Sequence, residues 1–246
     1  MVDNKTLANY CSEYLKVGEF SDYCPNGLQV EGCKKINKII AGVSANIDLI
    51  ERAIEERAEA LLVHHGFFWK NENPSITGTK KNRVSLLLKN DINLFAYHLP
   101  LDAHPEVGNN YQLAKILNID NPRPIGDTLV WTGEINSTLQ TVSELINNKL
   151  QRKPQVFGKN DKKIKHVAWC TGAAQDKIDV AIDVGADLFI SGEISEQIPA
   201  LAKESSISFI SAGHHATERY GVQALGQHLS DKFDIVYKFI EIDNSV

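Results

Sequence analysis

Short apolar runs and amphipathic segments of helical length alternate along most of the chain. The predicted elements are strands over 39–43, 60–63 and 93–97 and helices over 46–57, 82–90 and 109–117. The runs of the first two strands are too continuously apolar for a strand with one face in water, which indicates burial on both faces. This alternation favours an α/β fold with mainly parallel sheets covered by helices.

Polar and turn-forming residues divide these elements. Asp3 is placed to cap an N-terminal helix that runs to about Leu15. The stretch 66–81 is rich in Asn, Pro, Gly, Ser and Thr and is predicted to be a loop. Pro122, Pro124 and Gly126 indicate a boundary between two domains. We therefore predict an N-terminal α/β lobe over 1–124, with contributions from the C-terminal segment, and a C-terminal α/β lobe over 125–246.

The pattern begins again after this boundary. IIAGVSA and AEALLVHHG in the first half resemble HVAWCTG and VGADLFISG in the second, at a constant offset of 126 residues. In both halves a later apolar run ends in histidine with an acid four residues on, His98 with Asp102 and His214 with Glu218. Two coincidences in the same order predict duplicated α/β units with a ligand cleft between them. The alternative is that unrelated strand–helix–strand units resemble each other in this way.

Composition narrows the classes of function. The chain has 246 residues, 43% hydrophobic and 23% charged, with 26 Lys and Arg against 31 Asp and Glu and a net charge of -5. This balance argues against nucleic acid as a partner, because phosphate backbones are bound by clustered positive charge. The four cysteines show no C-x-x-C spacing, which fits a reducing compartment. With neither a signal peptide nor a membrane span in the pattern, we expect a cytoplasmic protein.

The candidate chemistry lies where apolar runs end. His64 and His65 follow the predicted strand 60–63, and ligands gather beyond the carboxyl ends of parallel strands. Neighbouring side chains of an extended chain point in opposite directions. Both imidazoles therefore serve one site only if the chain turns at once, which Gly66 permits, or if two metal ions lie apart. The alternative is a pair of hydrogen-bonded structural histidines.

Two further segments repeat this arrangement of histidine and carboxylate. His98 and Asp102 lie in a turn after a strand, and His214 and Glu218 share one face if a helix begins near His214. Imidazole and carboxylate ligands suit zinc, iron, manganese or nickel, and the absence of cysteine from these motifs disfavours a closed structural zinc site. His98 is predicted to orient a ligand. We expect His104 and His215, the other histidines of these segments, to be spare and on the surface.

These motifs carry a resemblance that covers residues 26–222. NGLQVEG, LLVHHGFFW, AYHLPLDAHPEVGNN, SGEISEQ and AGHHATERYGV resemble the YbgI-like family, known as GTP cyclohydrolase 1 type 2 homologues. The resemblance implies two divalent metal ions per chain, held between two α/β lobes, and a toroidal homohexamer built as a trimer of dimers. The metal ligands that it implies are all present here: His64, His65, Asp102, His214 and Glu218.

The function expected from this resemblance is metal-dependent hydrolysis of a small-molecule substrate. The substrate would be a nucleotide or nucleobase ring, with GTP ring opening as the version that the family name suggests. Glu193 and His98 are the candidate catalytic residues because each is placed to move protons. Phe68, Trp69 and Arg219 are the candidate substrate-binding residues, through stacking and charge. For the aromatic residues, packing or a subunit interface is the competing interpretation.

A second function stays open from a different class. A toroid with internal metal ions can act as a non-catalytic scaffold or regulator that binds partners at its rim. Five protein ligands shared by two ions leave coordination positions for water, and this favours catalysis. A measurement of substrate turnover by the metal-loaded protein distinguishes the hydrolase from the scaffold or regulator.

Overall fold

The computed structural model describes all 246 residues and divides them into two compact units. The first unit comprises Met1–Gly108 and Gly221–Asp243, and the second comprises Asn109–Tyr220 and Asn244–Val246. The boundary therefore precedes the one predicted at residue 124. The physical reason is that Leu113 of the intervening helix and Leu117, just after that helix, are buried in the core of the second unit.

The secondary structure alternates as the hydrophobic pattern predicted. The strands are β1 Val2–Asp3, β2 Gly27–Val30, β3 Lys35–Ile36, β4 Lys38–Ser44, β5 Ala60–His65, β6 Asn93–Ala96, β7 Asp120–Pro124, β8 Trp131–Thr138, β9 Gln155–Phe157, β10 Lys163–Cys170, β11 Leu188–Ser191, β12 Ser208–Ser211 and β13 Val236–Phe239. The helices are α1 Asn4–Tyr14, α2 Ile47–Glu55, α3 Gly78–Lys89, α4 Leu99–Ala103, α5 Asn109–Ile116, α6 Leu139–Leu150, α7 Ile178–Asp183, α8 Ile198–Glu204, α9 His214–Thr217 and α10 Arg219–Phe233. Single 3-10 turns lie at Val17–Glu19 and Gln175–Lys177.

Side-chain caps mark the starts of helices α1 and α2. The Asp3 side chain accepts from the backbone N–H of Lys5 at the start of α1, as predicted. The Asn46 side chain accepts from Leu49 N at the start of α2. Helix α3 begins at Gly78, four residues before the predicted start, so the polar loop that follows β5 is shorter than expected. None of the helices combines the length and the apolar character needed to cross a membrane.

The first unit is built on a five-stranded sheet in the order β13-β4-β5-β6-β2. Its first four strands are parallel, and β2 pairs antiparallel with β6 at one edge. Alternate residues of β5 serve opposite faces: Leu62 packs with α1 and α10, while Leu61 packs with α2 and α3. Burial on both faces is the reason that this strand has no polar residue before its last two positions.

The second unit contains a six-stranded sheet in the order β7-β8-β10-β11-β12-β9. Only β10, β11 and β12 are parallel, and the strands on either side of them pair antiparallel. The prediction of mainly parallel sheets is therefore correct for the first unit and wrong for the second. The physical reason is that β7 and β8 are joined by a short connection over 125–130, and antiparallel pairing permits such a connection. Helices α5 and α6 cover one face, and α7 and α8 cover the other.

The register of the central strands supports the internal repeat. Adding 126 to the residue numbers of pairs between β4 and β5 reproduces pairs between β10 and β11: Ala41–Leu62, Gly42–Val63 and Ser44–His65 become Val167–Leu188, Ala168–Phe189 and Cys170–Ser191. The third strands follow a different offset, because Leu62 pairs with Phe95 but Leu188 pairs with Ser208. By this register His98 corresponds to Ser211, so the predicted equivalence of His98 with His214 is wrong by three residues.

Candidate metal centre

The first unit gathers its candidate ligands beyond the carboxyl ends of β5 and β6. His64 and His65 are the last two residues of β5, and their ring centroids lie 4.6 Å apart. Asp102 lies in α4, the short helix that follows β6, and its side chain is buried. Parallel strands place these positions at one edge of the sheet, which is where the sequence predicted them.

His64 has the environment of a metal ligand. Its imidazole is fully buried, and Nδ1 lies 2.9 Å from the backbone oxygen of Tyr97. A carbonyl oxygen only accepts, so Nδ1 carries the proton and Nε2 presents its lone pair. Nε2 lies 3.5 Å from Oδ1 of Asp102. The backbone thereby fixes the tautomer that aims the basic nitrogen at the carboxylate.

His65 and His98 complete a group of three imidazoles in this unit. The ligand nitrogens of His64, His65 and His98 all lie within 4.8 Å of one another. Nδ1 of His65 lies 3.0 Å from the hydroxyl of Ser44 on the neighbouring strand β4. The ring centroid of His98 lies 5.1 Å from that of His64. His98 is thus close enough to be a ligand in the same site as His64 and His65. The predicted role, in which His98 only orients a ligand, does not require it to lie so close.

A buried carboxylate that the sequence analysis missed holds His98. Nδ1 of His98 lies 2.7 Å from Oδ1 of Asp22, and the other oxygen of Asp22 accepts from Leu99 N at 3.0 Å and Asn26 Nδ2 at 2.8 Å. Burial alone would raise the pKa of Asp22, but His98, Asn26 and the N–H of Tyr23 outweigh it and lower the pKa to about 2. Asp22 lies 76 residues from His98 in a polar loop, so no local spacing could have revealed the pair.

The second unit holds His214 and Glu218 as the predicted i, i+4 pair. Helix α9 begins at His214 and Glu218 follows its last residue, which brings Nε2 of His214 to 3.0 Å from Oε2 of Glu218. On the other side of the ring, Nδ1 lies 2.6 Å from Oε1 of Glu193. The Glu193 carboxylate can only accept a hydrogen bond, so Nδ1 of His214 carries a proton. This contact orients the ring so that Nε2 faces Glu218.

The carboxylates of Glu218 and Glu193 stabilise positive charge at His214. Burial alone would lower the pKa of His214, but Glu218 and Glu193 together raise it to about 9. Without a metal ion, Nε2 is therefore protonated at neutral pH. Cations and protons compete for the same nitrogen, so the position favours positive charge in either form.

A glycine makes room for the Glu218 carboxylate. Gly172 has φ of +68°, and a Cβ built on it would fall on Oε1 of Glu218 and 3.3 Å from Nε2 of His214. The backbone N–H of Gly172 donates to Oγ1 of Thr217, at 3.1 Å, in the helix that carries His214. Gly172 follows β10 and is a contributor to the site that the sequence analysis did not identify.

The spacing of these donors fits divalent metal ions. Nitrogen and oxygen ligands about 2.0–2.2 Å from one ion lie roughly 3.0–3.5 Å from each other. The pairs His64–Asp102 and His214–Glu218 have ligand-atom separations of 3.5 and 3.0 Å. Each pair also has a second hydrogen-bonding partner that orients its histidine. Imidazoles, after loss of the proton from the ligating nitrogen, and carboxylates form a set of donors that zinc, iron, manganese and nickel accept.

The residues predicted to bind substrate occupy different environments. Trp69 is partly buried and its ring meets that of His98 edge-on at 5.0 Å, while Phe68 is partly buried beneath the ammonium of Lys80. Arg219 donates from Nη2 to the backbone oxygen of Leu150 at 2.6 Å, at the end of α6. Trp69 thus lines the group of imidazoles, whereas the guanidinium of Arg219 also stabilises a helix C-terminus.

Two histidines expected on the surface are buried. Nδ1 of His104 accepts from the N–H groups of Glu106 and Val107, and its Nε2 donates to Tyr14 O at 3.1 Å. Burial lowers the pKa of His104, in keeping with a neutral structural histidine. His215 is equally buried, and its backbone N–H donates to Val246 O. The surface prediction was wrong because helices α4 and α9 turn these positions inward.

Comparison with known proteins gives consistent matches over the whole chain. Residues 2–245 match the family Duf34/NIF3 (NGG1p interacting factor 3). A protein of Pasteurella multocida is 51% identical, covering 97% of each chain, and one of Allochromatium vinosum is 47% identical, covering 99% of this chain and 98% of its own. Both relatives are named GTP cyclohydrolase 1 type 2 homolog.

Solved structures show the same fold. The protein ybgI, described as of unknown function, superposes with a TM-score of 0.95 at 44% identity over 100% of both chains. The protein TTHA1606 from Thermus thermophilus gives a TM-score of 0.92 at 34% identity, again over 100% of both chains. The predicted family resemblance is confirmed, and the chain belongs to the Duf34/NIF3 (NGG1p interacting factor 3) family.

Proposed function

We propose that this protein is a dinuclear metal-dependent hydrolase that acts on a nucleotide or nucleobase ring. The observation that carries the proposal is the arrangement around His214, whose Nε2 and the Glu218 carboxylate are 3.0 Å apart while Glu193 holds the opposite nitrogen. Such a carboxylate–histidine pair with a supporting acid is typical of metal sites.

Two divalent ions per chain are proposed, held by one set of five side chains. The ligands are His64, His65, Asp102, His214 and Glu218. That the donors of both units serve the same pair of ions is inferred from the family resemblance and from the matching chemistry of the two sets. Zinc, iron, manganese and nickel all suit these donors.

The chemistry would be hydrolytic because imidazole and carboxylate sites leave open coordination positions. Divalent ions in such a site lower the pKa of water and polarise the group that is attacked. His98, backed by the Asp22 carboxylate, is placed to accept or return a proton beside His64 and His65. The 2.6 Å contact of Glu193 with His214 supports a positioning role for Glu193 as strongly as the predicted catalytic one.

A nucleotide substrate is supported by the aromatic wall and by the names of the relatives. Trp69 presents its partly exposed ring beside His98, where a base could stack. Phe68 is a second proposed stacking residue, and Arg219 is the proposed partner of an anionic group. The relatives' name, GTP cyclohydrolase 1 type 2 homolog, makes GTP the first substrate to test.

The test combines metal content with turnover in one preparation. Elemental analysis of wild type should give about two ions per chain, as the family resemblance implies and the five-donor set permits. The same sample is then incubated with GTP, other nucleotides and modified bases, and the products are separated. Metal-dependent turnover supports the hydrolase, and His214→Ala should lose both metal and turnover. His166→Ala, at an exposed histidine outside the ligand set, should retain both.

The second candidate is a non-catalytic metal-binding scaffold or regulator. It is favoured if wild type holds two ions yet turns over none of the tested substrates. Both candidates include a homohexamer, a trimer of dimers, located in the cytoplasm, where the four free cysteines would stay reduced. Light scattering should give six times the chain mass of 27.3 kDa, and a monomeric mass would contradict the assembly.

A further inference from the structure

A cavity in the second unit lies between β9, β12 and α8, and none of the proposed metal ligands lines it. It has a volume of about 600 Å³. Its apolar wall consists of Val156, Phe157, Pro199, Ala202 and Ile207. Cavities of roughly 300–1,000 Å³ with mainly apolar walls are the usual size of small-molecule sites.

The polar groups of this cavity are all cationic or hydroxylic. Lys159, Lys162 and Lys203 line it, whereas no Asp or Glu does. This concentration of positive charge contrasts with the net charge of -5 of the whole chain. Lys159 and Lys203 are exposed. Three ammonium groups around one apolar cavity indicate complementarity to an anion.

Lys162 is held in place by the fold. Its Nζ donates to the backbone oxygens of Asp187 and Ser206, each at 2.8 Å. An ammonium group has three donors, so one is left for a ligand. The rigid placement reduces the entropy that a bound anion would otherwise cost at this side chain.

Ser208 supplies an unused hydrogen-bonding group. Its residue is 1% exposed, and its Oγ has no hydrogen-bond partner. A buried hydroxyl without a partner costs free energy, which a ligand atom in the cavity would recover. A Cβ at Gly158 would lie 2.7 Å from this hydroxyl, so the glycine keeps the space beside Ser208 open.

We propose that this cavity binds a small organic anion with an apolar body, such as an aromatic or aliphatic carboxylate, sulfonate or phosphate monoester. The apolar body packs against Phe157, Ala202 and Ile207. The anionic group is paired by the lysines and reached by the Ser208 hydroxyl. This site is separate from the proposed metal chemistry, since it shares no residue with the ligand set.

Anilinonaphthalene sulfonate is a suitable probe because it combines an aromatic body with one anionic group. Its fluorescence is titrated with the full-length protein, and we expect saturable binding of one molecule per chain. The double variant Lys159→Glu with Lys203→Glu should weaken binding about tenfold or more, the loss expected for charge-assisted contacts. Lys149→Glu with Lys163→Glu changes the net charge equally at exposed positions outside the cavity and should retain wild-type affinity.

A third variant separates the cavity from a charged surface. Ala202→Met adds volume inside the cavity and should abolish saturable binding while circular dichroism stays native. If that variant fails to fold, the comparison of the two double lysine variants still tests whether the anion binds in the cavity. Absence of saturable binding by wild type, or equal affinity in the two double variants, would overturn the proposal.

Discussion

Glu193 Oε1 and His214 Nδ1 lie 2.6 Å apart, although 21 residues separate them in the chain. Glu193 follows β11 by two residues, and His214 begins helix α9 beyond the neighbouring strand β12. Parallel pairing of these strands places their carboxyl ends side by side, which is how a distant acid comes to orient the imidazole. His64 is oriented in the first unit by a backbone oxygen instead.

This relationship predicts a positioning role for Glu193. Glu193→Gln should lower metal affinity by about 10–100-fold, the usual effect of removing an outer partner of a ligand histidine. Competition with a chromophoric chelator measures this affinity. If Glu193 acts only by moving protons, metal affinity will stay at the wild-type value while the turnover rate falls.

The two carboxylates proposed as ligands should be needed for full metal content. Asp102→Asn and Glu218→Gln keep the shape of each side chain but remove its charge, so each should lose at least one ion per chain while the protein still folds. Elemental analysis and circular dichroism on the same samples check this, with His166→Ala as the control. Unchanged metal content in both variants would refute the dinuclear site.

Gly172 should be intolerant of any side chain. In Gly172→Ala the new methyl group would occupy the space of the Glu218 carboxylate, and the positive φ would add roughly 1–3 kcal/mol of strain. We expect reduced metal affinity together with a lower thermal midpoint. Gly185→Ala is a matched control because Gly185 has a similar φ of +69° with open space around its Cβ. Equal metal affinity in both variants would show that Gly172 has no role at the site.

The Asp22–His98 pair predicts an acid-dependent part of the stability. The pKa of Asp22 is lowered from 3.8 to about 2 in the folded chain, so its contribution is present above pH 4 and is lost as pH falls toward 2. This difference corresponds to about 2 kcal/mol at neutral pH. Asp22→Asn should therefore be less stable than wild type in urea at pH 7, with the gap closing near pH 2. A gap independent of pH would mean that the carboxylate charge is not the cause.

Periodicity and local spacing determined much of this protein in advance. Continuous apolar runs predicted β4 and β5, the Asp3 cap predicted the start of α1, and histidines after apolar runs marked where ligands would gather. The i, i+4 spacing of His214 and Glu218 was sufficient to predict their contact, because a single helical turn decides it. These features depend on neighbours within a few residues, which a sequence displays directly.

Only the tertiary structure decided the features that depend on distant partners. Asp22 reaches His98 across 76 residues, and Gly172, which follows β10, makes room for Glu218 at the end of α9. The antiparallel edges of the second sheet were not predictable, because alternating apolar and polar positions look alike in parallel and antiparallel strands. His104 and His215 have the same residue type as the candidate ligands, and packing against other elements is what made them structural. Sequence alone thus indicated which residues have the chemistry, and the fold determined which of them meet.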